Sequence, residues 1–349
     1  MKLYGQELSR AEVVTRLGGL DQVASTTAVT AEEGPARGSR RIQAKCGDIS
    51  FEVFPDRALD IGDISFRGVP MAWTSPTGLT SPWNYDPSPM GWLRSFPGGL
   101  LSTCGLDSFG SPSQDGDESF PLHGRASTLQ ADHVAHDSAW TDKDDCEVLI
   151  TGRIRQARLF GENLELRREI RCRLNDARLV VHDIVTNLGP DDQPHMLLYH
   201  VNLGWPLVDQ GATLEIPSLD VIPRDADARA GIGEWAAFAP PTHPFAEQVF
   251  RHRLPEPPTD VDVALRNSRL GISLSMKFST GTLPHLFQWK MLGSGTYVLG
   301  LEPANCPVIE GRRSARESGV MPALAPGESR HYELSFEFMR LGTAAARQL

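Results

Sequence analysis

Regular alternation of apolar and polar residues is the feature that most constrains the fold of this chain of 349 residues. Between Glu147 and Asn187 short runs alternate with a period of two, separated by the turn-like sequences Gly161-Glu162-Asn163 and Asn175-Asp176-Ala177. Successive side chains of a β-strand point to opposite faces and give this period, whereas an amphipathic helix gives a period near 3.6. The segment therefore predicts an antiparallel meander.

Similar strand patterns extend over nearly the full length of the chain. They recur at residues 49–54, 265–278, 297–301 and 331–339. The 32 glycines and 26 prolines make up about a sixth of the chain, more than in an average protein, and indicate many turns. We therefore predict an all-β fold, a large antiparallel β-sandwich, that forms a single domain over residues 1–349.

Near the N-terminus the pattern predicts one short helix. Ser9 followed three residues later by Glu12 forms a capping-box sequence, and Gly18-Gly19 is a typical stop signal. We expect a helical extension over about residues 1–20.

Charge and motif content exclude several classes of protein. The formal net charge is −10 and the lysines and arginines are not clustered, which argues against binding to nucleic acids or anionic membranes. No G-x-G-x-x-G sequence links a strand to a helix, so a dinucleotide-binding domain is not supported. The five cysteines are widely spaced, and the N-terminus has no apolar leader segment. We expect a cytoplasmic protein without a disulfide framework.

Two long segments, 73–114 and 220–258, read as loops rich in proline and small residues. The first also contains several aromatic residues, which is unusual for a disordered segment. Loops of this length in a compact domain are usually functional or disordered. We interpret the first segment as a cover over a ligand site.

Polar residues in apolar strand-like surroundings mark the candidate site. His200 and Asn202 are two residues apart in an apolar run, so they share one face of a strand. Glu302 follows the strand pattern at 296–301 and precedes a proline, which predicts a carboxylate at a strand end.

The order of these motifs resembles that of the aldose 1-epimerase (galactose mutarotase-like) superfamily, and more closely an uncharacterised branch of it. The similarity of order runs from about residue 51 to residue 338, and the fold it implies is the supersandwich of that superfamily. The motifs that carry it are Arg57, Leu122-His123-Gly124, His200 with Asn202-Leu203, Leu301-Glu302 and Leu324-Ala325-Pro326-Gly327-Glu328.

The resemblance implies a role for each matching residue. Glu302 matches the general base that takes the proton of the anomeric hydroxyl, and His200 matches the general acid that protonates the ring oxygen. His123 and Arg57 match residues that hold the substrate. The implied activity is a cofactor-independent mutarotation of a sugar or sugar derivative, with a small carbohydrate as the ligand and a homodimer as a candidate assembly.

Further candidates for substrate binding come from the residues themselves. Asn202 shares a face with His200, and Trp289 is suited to stack on a sugar. Lys290 is another candidate; in a strand, Lys290 or Gln288 would point to the opposite side from Trp289. Guanidinium groups bind carboxylates, sulfonates and phosphates in a bidentate manner, which makes nearby arginines candidates for an anionic group on the sugar. These arginines are Arg94, Arg125, Arg312 and Arg313.

Two other functions use the same residues. Two imidazoles and a carboxylate form a common metal-ligand set, so His123, His200 and Glu302 could bind a divalent metal ion in a metal-dependent sugar isomerase or epimerase. Alternatively, the chain is a non-catalytic carbohydrate-binding protein in which aromatic residues stack on the sugar.

Overall fold

A computed structural model describes residues 1–142 and 145–342, so the end of the predicted domain, 343–349, lies outside the described residues. The helices are α1 (Arg10–Val14), α2 (Ala226–Ala230) and α3 (Arg312–Glu317). The strands are β1 (Lys2–Leu3), β2 (Gln6–Glu7), β3 (Ala24–Thr30), β4 (Arg40–Cys46), β5 (Ile49–Phe54), β6 (Asp60–Phe66), β7 (Val69–Pro70), β8 (Leu101–Cys104), β9 (Ser113–Asp115), β10 (Glu118–Phe120), β11 (Ala131–Trp140), β12 (Cys146–Ala157), β13 (Asn163–Arg173), β14 (Arg178–Asn187), β15 (Gln193–Pro194), β16 (Leu198–Gly204), β17 (Ala212–Glu215), β18 (Asp220–Pro223), β19 (Gln248–Arg253), β20 (Asp260–Asn267), β21 (Ile272–Ser279), β22 (His285–Gly293), β23 (Thr296–Ala304), β24 (Ala323–Leu324) and β25 (Ser329–Arg340).

Two large antiparallel sheets carry most of these strands. One has the order β11-β12-β13-β14-β25-β21-β20-β17, and the other has the order β18-β19-β22-β23-β16-β8-β6-β5-β4-β3 with β7 paired to β6. The inward side chains of both sheets form one continuous buried cluster. The predicted all-β sandwich and the meander, which is β12-β13-β14, are therefore confirmed.

The predicted N-terminal helix forms with its capping box. The Ser9 hydroxyl accepts a hydrogen bond from the Glu12 backbone N–H, and the Glu12 carboxylate accepts one from the Ser9 backbone N–H. The helix is short and ends at Val14, before the predicted glycine stop.

The interpretation of 73–114 and 220–258 as loops was partly wrong. The first segment contains β8, which lies between β16 and β6 in the middle of its sheet, and the second contains β18 and β19 at the edge. Every residue of β8 is buried, so its sequence lacks the alternation that reveals a half-exposed strand. Likewise, β23 continues to Ala304, which places Glu302 inside the strand rather than beyond its end.

A buried polar network connects the two sheets. Arg168 on β13 donates two hydrogen bonds to Asp183 on β14, at 2.9 and 2.7 Å, and its third nitrogen lies 3.4 Å from Asp60 on β6. The Tyr199 hydroxyl on β16 donates to Asp183 at 2.6 Å, and Thr103 donates to Asp60 through both its hydroxyl and its backbone N–H. All these side chains are buried, so the charges compensate one another away from water.

Candidate active site

His200 and Glu302 lie opposite each other on the outer face of the second sheet. The antiparallel register of β16 and β23 pairs Val201 with Leu301. The next pair along is His200 and Glu302, whose side chains lie on the opposite face of the sheet from Val201 and Leu301. The imidazole Nε2 is 3.3 Å from the carboxylate Oε1. Both residues are at most 4% exposed, so the pair is shielded from water.

Aromatic side chains surround this pair on two sides. Trp92 and Phe96 come from the segment before β8, stack with ring centroids 4.0 Å apart, and lie 5.9 and 5.2 Å from the His200 ring. On the other side Trp289 of β22 lies 5.6 Å from His200, and Trp73 is 6.0 Å from Trp289. The segment that contains Trp73, Trp92 and Phe96 therefore covers His200.

His123 reaches the site from an unusual backbone conformation. Its φ is +59° and that of Gly124 is +75°, so two consecutive residues lie in the left-handed region. A Cβ on Gly124 would lie 2.2 Å from the carbonyl oxygen of Ser108, so a side chain has no room there. The turn directs the His123 ring to 5.4 Å from that of His200 and 4.6 Å from that of Trp92.

Burial sets the protonation of the three central groups. It raises the pKa of Glu302 to about 8, with a further increase from Glu247 and a partial decrease from Arg224. It lowers the pKa of His200 to about 4, and it holds the pKa of His123 well below its usual range, with His200 as a second cause. At neutral pH the Glu302–His200 pair therefore holds one proton in total.

Several buried polar atoms at the site have no hydrogen-bond partner among the described residues. These are Nδ1 of His123, Nδ1 of His200 and Oδ1 of Asn202. The Asn202 amide nitrogen donates to the carbonyls of Gly99 and His200, at 3.1 and 2.9 Å, which fixes the direction of its unpaired oxygen. Buried polar atoms are rarely left unpaired, so these three are available to ligand hydroxyls.

Glu247 and Arg224 are site neighbours that sequence reasoning missed. The Trp289 Nε1 donates to Glu247 Oε2 at 3.1 Å, and Arg224 Nη2 donates to Glu247 Oε1 at 2.9 Å. Both residues belong to the segment interpreted as a loop. The hydrophobic strand pattern of β19 was the available signal for Glu247. In the sheet Val249 pairs with Trp289, and Glu247 lies two residues before Val249.

Arg57 lies in the buried turn between β5 and β6. Its Nη1 donates to the carbonyl of Thr80 at 3.4 Å, while Nε and Nη2 have no partner among the described residues. Burial lowers the pKa of Arg57 to about 10, and Asp60 partly opposes this shift. Arg57 thus contacts the covering segment, and no hydrogen bond to His123, His200 or Glu302 is formed within the described ranges.

The structure does not bring Lys290 into the site. Neighbouring residues of a strand face opposite sides, and because Trp289 faces His200, Lys290 points away. Its Nζ donates to the carbonyl of Glu234 and lies 5.8 Å from the Phe238 ring. The prediction of Lys290 as a substrate-binding residue is therefore corrected on geometric grounds.

The four arginines proposed to bind an anionic group all have carboxylate partners. Arg125 Nη2 lies 3.2 Å from Glu118 and also donates to the Ser119 carbonyl, so the guanidinium is directed at a surface hairpin. The prediction of Arg125 as a substrate-binding residue is not supported by this placement. The other pairs are Arg94–Asp86 at 3.3 Å, Arg312–Asp107 at 3.0 Å and Arg313–Glu317 at 2.7 Å.

Within residues 1–142 and 145–342, no three His, Cys, Asp or Glu side chains are placed to share one metal ion. Binding of a metal by His123, His200 and Glu302 stays a prediction for metal analysis to test. Over the same ranges, no helix is both long and apolar enough to span a membrane.

The fold is that of the galactose mutarotase-like β-sandwich proteins. A Klebsiella pneumoniae protein with a provisional assignment as an aldose 1-epimerase shares 23% identity and a TM-score of 0.83, over 97% of this chain and 92% of that one. A galactose mutarotase-like protein from Clostridium acetobutylicum shares 13% identity and a TM-score of 0.61, over 92% and 100% of the chains. Galactose 1-epimerase from Lactobacillus acidophilus shares 13% identity and a TM-score of 0.58, over 91% and 100%.

The chain belongs to a family described as a domain of unknown function (DUF4432), whose sequence model matches residues 36–338. No curated protein matches the sequence significantly. The predicted resemblance to the mutarotase-like proteins is therefore confirmed at the level of the fold, and the family of unknown function agrees with the prediction of an uncharacterised branch.

Proposed function

We propose that the protein is a cofactor-independent mutarotase that interconverts the anomers of a free sugar or sugar derivative. One observation carries this proposal: an imidazole and a carboxylate lie 3.3 Å apart on neighbouring strands, buried under aromatic side chains. Exchange between anomers needs one group that removes a proton and another that supplies one. A buried pair that holds a single proton provides both.

The reaction proceeds by ring opening and closure. The shared proton first moves from Glu302 to His200 Nε2, 3.3 Å away. Glu302 then takes the proton of the anomeric hydroxyl while His200 gives its proton to the ring oxygen, and the bond between the anomeric carbon and the ring oxygen breaks. The open-chain aldehyde then rotates and the ring hydroxyl attacks its opposite face, with both proton transfers reversed. No net proton is consumed, so one proton on the pair suffices, and the chemistry requires neither metal nor nucleotide.

The surroundings of the pair fit a sugar. Aromatic rings offer apolar faces to the C–H groups of a pyranose, and Trp289 and Trp92 flank His200 in this way. The unpaired atoms of His123, His200 and Asn202 can bind its hydroxyls. We assign His123 and Asn202 to substrate binding on this basis.

The test is the rate of α/β anomer exchange followed by proton NMR in D₂O over a panel of free sugars. Replacing Glu302→Gln removes the base with little change in size, and we expect the rate to fall by about 10²–10⁴-fold. Glu333→Gln is a matched control, because Glu333 is exposed on the far sheet. An unchanged rate in the Glu302 variant would contradict the proposal.

The same spectra separate the alternatives. Deuterium incorporated at the carbon beside the carbonyl, together with divalent metal in the purified protein, would favour the metal-dependent isomerase. Sugar binding without any acceleration of exchange would favour a carbohydrate-binding protein.

A further inference from the structure

A cavity of about 320 Å³ lies at the edge of the second sheet. Its lining includes Arg251, Arg253 and His285, together with Ile222 and residues of the loop after β19. The residues come from β18, β19 and β22, so the cavity is built on the sheet itself rather than on a loop alone.

The sheet register connects this cavity to the catalytic pair. Arg251 pairs with Phe287, and Phe287 pairs with Glu302, so the three side chains share one face of the sheet. Two strand spacings separate the backbones of Arg251 and Glu302, which is about 10 Å. Arg253 lies two residues further along the same strand and therefore on the same face.

The two guanidinium groups of the cavity have one acidic cross-strand neighbour, Asp220, which pairs in register with Arg253. No carboxylate among the described residues lies within ion-pair distance of Arg251 or Arg253, whereas the neighbouring Arg224 is bound to both Asp225 and Glu247. Glu256 is the acidic residue in the lining, and it forms no ion pair with either guanidinium. Arg251 also faces His285, whose pKa is lowered to about 4 by burial first and by Arg251 second.

We propose that this cavity binds an anionic group, a phosphate, sulfonate or carboxylate, carried by the sugar on which the catalytic pair acts. Two guanidinium groups on one face can bind an oxyanion with several charge-assisted hydrogen bonds, and His285 can add another. That the anionic group belongs to the sugar substrate rests on the proposed function. The binding of an anion to the cavity stands without it.

Calorimetry with inorganic phosphate tests the cavity alone. We expect phosphate to bind the unmodified protein, and Arg251→Gln and Arg253→Gln each to weaken binding about tenfold. Arg229→Gln on α2 removes the same charge outside the cavity and should leave binding unchanged. Absence of phosphate binding, or equal binding by all four proteins, overturns the proposal.

Anomer exchange of glucose 6-phosphate and ribose 5-phosphate, beside glucose and ribose, tests the assignment to the substrate. The phosphorylated sugars should have the lower KM, and Arg251→Gln should raise that KM without changing kcat/KM for the neutral sugars. Phosphate binding without any preference for phosphorylated sugars identifies a free anion as the ligand and overturns the assignment. If no sugar is turned over, the proposed function fails, and calorimetry still decides whether the cavity binds anions.

Discussion

Glu302 and His200 together should hold one proton between about pH 4 and about pH 8, because burial raises one pKa and lowers the other. Below this range both groups are protonated and the base is lost, and above it neither can act as the acid. We predict a bell-shaped pH dependence of kcat/KM with an alkaline limb near pH 8, measured by anomer exchange. A rate that stays constant through pH 8 would contradict the shared proton.

The raised pKa of Glu302 also has a consequence for stability. The unfolded chain loses this proton near the ordinary glutamate pKa of 4.5, whereas the folded protein keeps it to about pH 8, so stability should fall as pH rises through this window. Glu302→Gln should remove that slope and stabilise the protein above pH 7 while lowering activity as described above. Urea unfolding at several pH values measures it, and an equal slope in both proteins would argue against a protonated Glu302.

The left-handed turn at His123 and Gly124 allows a test of site geometry. Gly124→Ala should destabilise the protein by more than about 1 kcal/mol and displace His123, because the new Cβ would meet the Ser108 carbonyl at 2.2 Å. Gly116→Ala is a matched control, since Gly116 has a φ of +63° but open space around it. Thermal unfolding and sugar binding of the two variants separate the steric clash from the cost of the left-handed backbone, and similar losses in both would contradict the clash.

At the scale of elements, the segment between β7 and β8 covers the site with Trp92 and Phe96. Trp92→Leu should lower kcat/KM about tenfold, because the ring that stacks on Phe96 and lies against His123 and His200 is lost. Trp83→Leu in the same segment is the control, since Trp83 is 81% exposed. Equal kcat/KM in the two variants would contradict a contribution of the Trp92 ring to the reaction.

How far the sequence predicts these elements depends on where each strand lies. The meander β12-β13-β14 has one face toward the core, so its alternation is explicit, and the period of two also places His200 and Asn202 together. The strand β8 is buried on both faces and has no such pattern. The strand pattern of β19 begins one residue after Glu247, but only tertiary structure joins Glu247 to Trp289. Arg125 contacts a hairpin close in sequence and Lys290 contacts a distant carbonyl, and the alternation of apolar and polar residues reports neither contact.

At the scale of the whole molecule, the network of Arg168, Asp183, Tyr199 and Asp60 holds the sheets together. Asp183→Asn should destabilise the protein by about 3–5 kcal/mol, because it leaves the Arg168 guanidinium buried without its main partner. Tyr199→Phe removes only one hydrogen bond and should cost about 1–3 kcal/mol. Urea unfolding measures both, and a smaller effect of Asp183→Asn than of Tyr199→Phe would contradict the assignment.

The aromatic surroundings of His200 also give the molecule a built-in optical reporter. Of the seven tryptophans, Trp92 and Trp289 lie beside the His200 imidazole and donate their indole N–H groups to protein acceptors, and Trp73 packs against Trp289. Any ligand that stacks on these rings or disturbs those hydrogen bonds will change their emission. Intrinsic fluorescence can therefore screen for the natural sugar before any assay of turnover exists.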